Sequence, residues 1–179
     1  MELGVISVRY ARALLKSALE QKIEDKVYQE MQTLSKCYLQ VPELRQTIDN
    51  PMLDNGKKES LLVTASGGSG ISSLTKRFIS LVMAEGRESA LQLMAASYIT
   101  LYRKQKNITR GKLITAVAVT PEIERKMRQR VESRTQGTVE FQTEIDPGII
   151  GGFILEYDTY RMDASVQNQL RNILTQLRK

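Results

Sequence analysis

From Val5 to about Lys106, apolar residues recur every three or four positions with few β-branched runs, which is the period of amphipathic helices. Breaks in that period predict six helices, over about 5–20, 22–40, 42–49, 55–65, 70–86 and 88–106. Pro42 suits a first helical turn, Asp49-Asn50-Pro51 ends a helix, and Gly67-Gly68-Ser69-Gly70 reads as a flexible joint. Short connections between such helices imply an antiparallel bundle.

Beyond Gly111 the period changes. Leu113 to Val119 is a continuous apolar, β-rich run and predicts a buried strand. Thr120-Pro121-Glu122 then offers an N-cap hydroxyl, a proline at the first helical position and a carboxylate near the positive helix end. The helix it opens carries Ile123, Met127 and Val131 on one face. Val139, Phe141, Thr143 and Ile145 alternate with polar residues, as in a half-exposed strand. Asp146-Pro147-Gly148 turns the chain into a further strand from Ile149 to Tyr157. Asp163 can cap a last helix with Val166, Leu170, Ile173 and Leu177 along one side. The expected fold is α+β: a six-helix bundle over 1–106, then a small strand-helix-strand-strand-helix domain over 107–179.

Composition narrows the chemistry more than it names it. The chain has 179 residues, one cysteine (Cys37) and no histidine, so it lacks a disulfide framework, the commonest general base and the commonest transition-metal ligand. No apolar run approaches the roughly 20 residues of a membrane span. The first residues lack a basic stretch followed by an uninterrupted apolar one, so the expected compartment is the cytosol. A net charge of +6 favours acidic partners. It is spread over both halves, with 15 cations against 11 anions up to Lys106 and 11 against 9 after it.

None of the candidate reactive groups gathers the companions its chemistry needs. The glycine-rich segment at 67–70 follows no strand and ends in no Gly-Lys-Ser/Thr, as a phosphate loop would. Gly151-Gly152 marks a bulge or close backbone packing rather than a ligand site. Cys37 has no histidine to activate it. Glu122, Glu124, Glu132, Asp146 and Asp163 lie where helix ends, turns and solvated faces account for them. No catalytic residue, cofactor or metal is therefore expected. Arg125, Lys126, Arg128, Arg130 and Arg134 make one helix basic, and a basic RNA-binding adaptor is the alternative function. Against it, the strands carry no aromatic motif of the RNA-recognition kind.

The first helix has two buriable faces. Val8, Ala11, Leu15, Ala18 and Leu19 fall on one side, and Tyr10, Ala13, Leu14 and Ser17 on roughly the other. The fifth predicted helix is also broadly apolar. Together they suggest a helix-in-groove site, for which Tyr10, Ala13, Leu14, Phe78, Ile79 and Met83 are the candidates, with packing inside the bundle as the competing explanation for each.

The order of motifs carries a resemblance. Val8-Arg9-Tyr10-Ala11-Arg12-Ala13-Leu14 is followed by Asn50-Pro51 with Lys57, Glu85-Gly86-Arg87 within the stretch from Phe78 to Tyr98, Asp146-Pro147-Gly148-Ile149-Ile150-Gly151-Gly152-Phe153, and Met162-Asp163-Ala164-Ser165-Val166. Over essentially its whole length the chain resembles the delta subunits of bacterial F-type ATP synthases, counterparts of the mitochondrial oligomycin-sensitivity-conferring protein. Gln167-Asn168 stands where that family commonly has Arg-Gly. The resemblance implies a non-catalytic stator subunit in the peripheral stalk, at the cytoplasmic face of the bacterial inner membrane. Its N-terminal bundle would bind the N-terminal helices of alpha subunits. Its C-terminal domain would join the b subunits through residues the sequence does not identify. The resemblance implies neither nucleic-acid binding nor direct membrane insertion.

Overall fold

The computed structural model describes the backbone of residues 3–135, 138–157 and 160–177; the side chains of Arg130, Val131, Ser133, Arg134, Thr135 and Phe141 lie outside the described set. The roles expected of Val131, Phe141, Arg130 and Arg134 thus fall on side chains beyond that description. The chain divides into two compact units, Met1–Lys104 and Gln105–Lys179.

Among the described residues the first unit carries α1 (Leu3–Glu20), α2 (Glu24–Gln40), α3 (Pro42–Asp49), α4 (Asn55–Ala65), α5 (Ser73–Ala84) and α6 (Leu91–Gln105). Three helices start later than the periodicity reading has them, each for a local reason. α2 starts at Glu24 rather than 22 because Lys22 takes a left-handed conformation (φ 56°). α5 starts at Ser73 because Ser72 is its cap, the Ser72 hydroxyl accepting from the Thr75 N–H at 3.2 Å. The buried Glu30 carboxylate of α2 fixes that start by accepting the Ser72 N–H (2.5 Å), the Ser72 hydroxyl (2.8 Å) and the Thr75 hydroxyl (2.5 Å). α6 begins only at Leu91, since Glu88–Ala90 form a 3-10 turn.

The core of this unit is drawn from all the longer helices, with Ala11, Ala18, Val27, Met31, Leu34, Leu62, Ile79, Val82, Met94 and Tyr98 buried. Tyrosines tie α6 to the start of α2. Tyr28 and Tyr102 stack at 4.1 Å, the Tyr98 hydroxyl donates to the Glu24 carbonyl (3.2 Å), and the Tyr102 hydroxyl donates to Asp25 Oδ1 (2.7 Å). Burial pushes the Tyr98 phenol up, as it does Tyr102, where the Asp25 hydrogen bond adds to it. These hydroxyls stay protonated and serve as structural donors.

In the second unit a four-stranded sheet has the order β2-β1-β3-β4 among the described residues, with β1 (Ile108–Thr115), β2 (Thr138–Ile145), β3 (Phe153–Tyr157) and β4 (Tyr160–Asp163). β1 pairs parallel with β2 across the crossover helix α7 (Pro121–Thr135) and antiparallel with β3, which pairs antiparallel with β4. The final helix is α8 (Val166–Leu177). Leu113, Val139 and Leu155 form the core, with Val119, Met127, Phe153 and Tyr157 packed on it.

Several strand expectations need correction. The strand expected at 113–119 runs instead over 108–115, because β2 ends opposite Thr115 and β3 pairs only with 111–115, leaving no ladder beyond. The Thr115 hydroxyl donates to the Val117 carbonyl (2.8 Å) as the chain leaves the sheet, and Val117 is 73% exposed. On β2 the described positions of the expected apolar face are not all buried. Val139 is in the core, whereas Thr143 and Ile145 are exposed on what is an edge strand. The strand expected from Ile149 starts at Phe153, after a 3-10 turn at Pro147–Ile149. β4 was not legible: four residues with a cross-strand Arg161–Glu156 pair (3.2 Å) carry too short a pattern.

The cap of α8 is Ser165, not Asp163. The Ser165 hydroxyl accepts from the Asn168 N–H (3.1 Å), while Asp163 Oδ1 accepts the Ser165 hydroxyl (2.6 Å) and N–H (3.0 Å) and so orients the cap. Those two bonds hold the Asp163 carboxyl below the usual carboxylate range. Gly151-Gly152 is a bend that receives this helix start. Ala164 N–H donates to the Phe153 carbonyl (2.9 Å), Val166 N–H donates to the Gly151 carbonyl (3.0 Å), and Gly152 has φ +74°.

Candidate functional site

α1 and α5 lie side by side and leave a groove of about 380 Å³ between them. α1 contributes Arg9, Tyr10, Ala13, Leu14 and Ser17. α5 contributes Leu74, Arg77, Phe78 and Leu81. The periodicity explains the α5 set, since 74, 78 and 81 are spaced i, i+4, i+7 and share a face. Leu14 and Phe78 form a buried floor, while Ala13 and Leu81 are exposed above it. Arg9 and Arg77, both exposed, place one guanidinium on each wall. The result is an apolar trough with cationic shoulders.

Four of the six candidates, Tyr10, Ala13, Leu14 and Phe78, line this groove. Ile79 and Met83 do not. They turn into the core, about 100° and about 140° round α5 from Phe78, so they support the wall from behind. Leu74 and Leu81 stand in their place, and their spacing from Phe78 was the available signal. The two faces expected of α1 are also redistributed. Ser7, Ala11, Leu14, Leu15 and Ala18 are buried, while Val8 and Leu19 are exposed. Ser7 enters the core because its hydroxyl donates to the Leu3 carbonyl at 2.7 Å.

Tyr10 is held by contacts to two other residues. Its ring meets Phe78 edge-on at 6.4 Å and 64°. Its hydroxyl accepts from Arg87 Nη1 at 2.6 Å.

Elsewhere the candidate chemistry is accounted for by structure. Glu122 pairs with Lys126 and Glu124 with Arg128, both at 2.9 Å along α7. Asp146 Oδ1 accepts the Gly148 N–H at 2.8 Å, and Glu132 Oε1 accepts the Val139 N–H at 3.2 Å. Lys112, on the open sheet face, bonds Glu144 at 2.7 Å, which holds its ammonium above the usual lysine range. Cys37 is a partly buried free thiol. Among the described residues no three His, Cys, Asp or Glu side chains are grouped to hold a metal, and no helix is long and apolar enough to cross a membrane.

Residues 6–177 match the ATP synthase delta (OSCP) subunit family. The chain belongs to that family. It is 50% identical to the ATP synthase subunit delta of Phocaeicola vulgatus over 98% of this chain and 95% of that one. It is 44% identical to the ATP synthase subunit delta of Bacteroides thetaiotaomicron over the same shares of each chain. Its fold is similar to that of a chain in the Toxoplasma gondii mitochondrial ATP synthase hexamer, with a TM-score of 0.66 at 20% identity over 97% of both chains. Membership makes the protein a structural, non-catalytic subunit of an ATP synthase, a component of its stator or peripheral stalk. The RNA-binding alternative gains no support from these relationships.

Proposed function

We propose that the six helices of the first unit form the bundle that caps the catalytic head, with the α1–α5 groove seating an amphipathic N-terminal helix of an alpha subunit. The second unit joins the b-subunit stalk. The assembly sits at the cytoplasmic face of a bacterial inner membrane and does not involve nucleic acid. The observation that carries this reading is the groove itself, with an apolar floor of Leu14 and Phe78 and an arginine on each wall. Such a trough fits a helix with an apolar stripe flanked by carboxylates.

Its size sets what the attachment can do. From Arg9 to Ser17 the α1 wall runs about 12 Å, room for roughly two turns of a docked helix and two or three apolar anchors. Each anchor contributes about 1.5–3 kcal/mol on burial, against which association costs at least about 4 kcal/mol. One such contact is therefore weak. A stator must resist the torque of a turning rotor, so a weak head contact acts only when a second attachment on the same chain raises the effective concentration. The second unit supplies a surface for it: on α8, Leu170, Ile173 and Leu177 follow Val166 at spacings of 4, 3 and 4, the seam of a helix-helix contact, and all three leucine and isoleucine side chains are about half or more exposed.

Calorimetry of the full chain with a synthetic peptide of the alpha subunit's first 25 or so residues tests the groove. Binding that Ala13→Arg weakens at least tenfold, with unchanged helical circular dichroism, is the expected result. Equal affinity of the variant removes the groove as the site.

A further inference from the structure

The Glu85-Gly86-Arg87 segment contributes no residue to the groove lining, yet its geometry is built around one residue that does line it. α5 ends in a two-bond cap: Gly86, at φ +60°, donates to the Met83 carbonyl (3.1 Å), and the Arg87 N–H donates to the Val82 carbonyl (3.0 Å). This cap reverses the chain at the end of α5 and brings the half-buried Arg87 side chain to α1. There its guanidinium donates to the Tyr10 hydroxyl at 2.6 Å, with its central carbon 5.3 Å from the ring centroid. At that distance the guanidinium lies by the hydroxyl end of the ring. The same ring also meets Phe78 of α5 edge-on.

We infer that Arg87 is a positioning residue for helix docking: it clamps Tyr10 against Phe78, bridging the two walls, and keeps the phenol from swinging into the trough it lines. This rests on the proposal that the groove seats an alpha helix. A phenol has two free torsions, and a half-buried tyrosine lining an apolar trough lowers its remaining exposed area by folding further into it. A charge-assisted bond to its hydroxyl opposes that collapse. Pre-organisation of this kind raises affinity without adding a contact to the ligand. Arg87 would thus govern affinity from outside the lining.

The experiment is a double-mutant cycle on the full chain, with Arg87→Ala, Tyr10→Phe and the double variant, read by calorimetry against the same alpha peptide. Arg87→Ala and Tyr10→Phe should each weaken binding about tenfold, the double variant should weaken it no further, and Arg87→Lys should restore part of the loss. Tyr10→Phe keeps the ring and the fold, so its loss of affinity cannot come from a missing anchor. In 15N-arginine-labelled protein without peptide, the Arg87 side-chain resonance should shift on Tyr10→Phe. Wild-type binding with Arg87→Ala unchanged overturns the clamp alone. Additive losses in the cycle also overturn it, since they would make Arg87 and Tyr10 act separately. No binding of the peptide by the wild type overturns the groove reading, and the clamp's role in docking with it.

Discussion

Gly152 allows the packing of the second unit to be tested against a matched control. A Cβ on Gly152 would stand 2.2 Å from the Ala164 carbonyl oxygen, and 3.2 Å from both Ala164 C and Ser165 Cα. Carbon to carbonyl-oxygen contacts ordinarily sit at about 3.3–3.6 Å, so Gly152→Ala forces the two segments about 1 Å apart. The left-handed backbone (φ +74°) adds about 1–2 kcal/mol for any residue with a Cβ. The displaced segment carries the Ala164–Phe153 and Val166–Gly151 bonds, at about 0.5–1.5 kcal/mol each, and the Ser165 cap, worth about 1 kcal/mol. The expected loss is about 3–6 kcal/mol. A unit of about 75 residues has roughly 4–11 kcal/mol in all, so the variant approaches the limit of folding. Gly86 is the control: it has φ +60° with nothing within 4 Å of a Cβ, so Gly86→Ala carries the conformational strain alone, about 1–2 kcal/mol. Native-state hydrogen exchange reads both, through the Leu113 and Leu155 amides for the second unit and the Val82 and Met94 amides for the first. A Gly152→Ala loss no larger than that of Gly86→Ala would refute the close approach to Ala164.

The fragment ending at Lys104 should melt cooperatively with a helical circular dichroism spectrum; a non-cooperative, largely unfolded fragment would count against its independence. Leu170→Lys together with Ile173→Lys, on an exposed face of α8, should leave stability within about 0.5 kcal/mol while abolishing co-purification with the b subunits; retained co-purification rejects α8 as the stalk surface. Because the folded Asp163 pKa is depressed, its contribution to the α8 cap is complete above the ordinary aspartate value near 4 and is lost as pH falls through the depressed one. The protection of the Asn168 amide, its exchange rate taken relative to the intrinsic rate at each pH, should fall in that acid window, and Asp163→Asn should flatten the dependence. Membrane vesicles lacking this subunit should lose proton-driven ATP synthesis and regain it with the full chain but not with the two units added unlinked; rescue by unlinked units would defeat the connector mechanism.

How far the sequence could be read depends on how local each signal is. Helix interiors were legible because a 3.6-residue period repeats over several turns, and α3 and α4 fall at 42–49 and 55–65 as the Pro42 and Asn50-Pro51 punctuation suggests. Helix ends were less so, because what decides them is tertiary: α5 begins where Glu30, more than forty residues earlier in the chain, receives Ser72 and Thr75. Strand ends depend on partners in the same way. Val117 has the composition of a strand residue, but no neighbour offers it a ladder, so composition alone assigned it wrongly. At the groove, periodicity places Tyr10, Ala13 and Leu14 on one side of α1, yet cannot say which side of a doubly apolar α5 meets them. Phe78 and Ile79 are adjacent in sequence and both strongly apolar; only the packing of α1 against α5 puts one in the groove and the other in the core. Arg87 was the least legible of all, because its effect runs through another side chain 77 residues away and a glycine-dependent chain reversal. What the proposed docking role would leave in the sequence is apolar surface on the outside of a bundle, and the one bond argued to hold that surface open joins Tyr10 to a residue far along the chain.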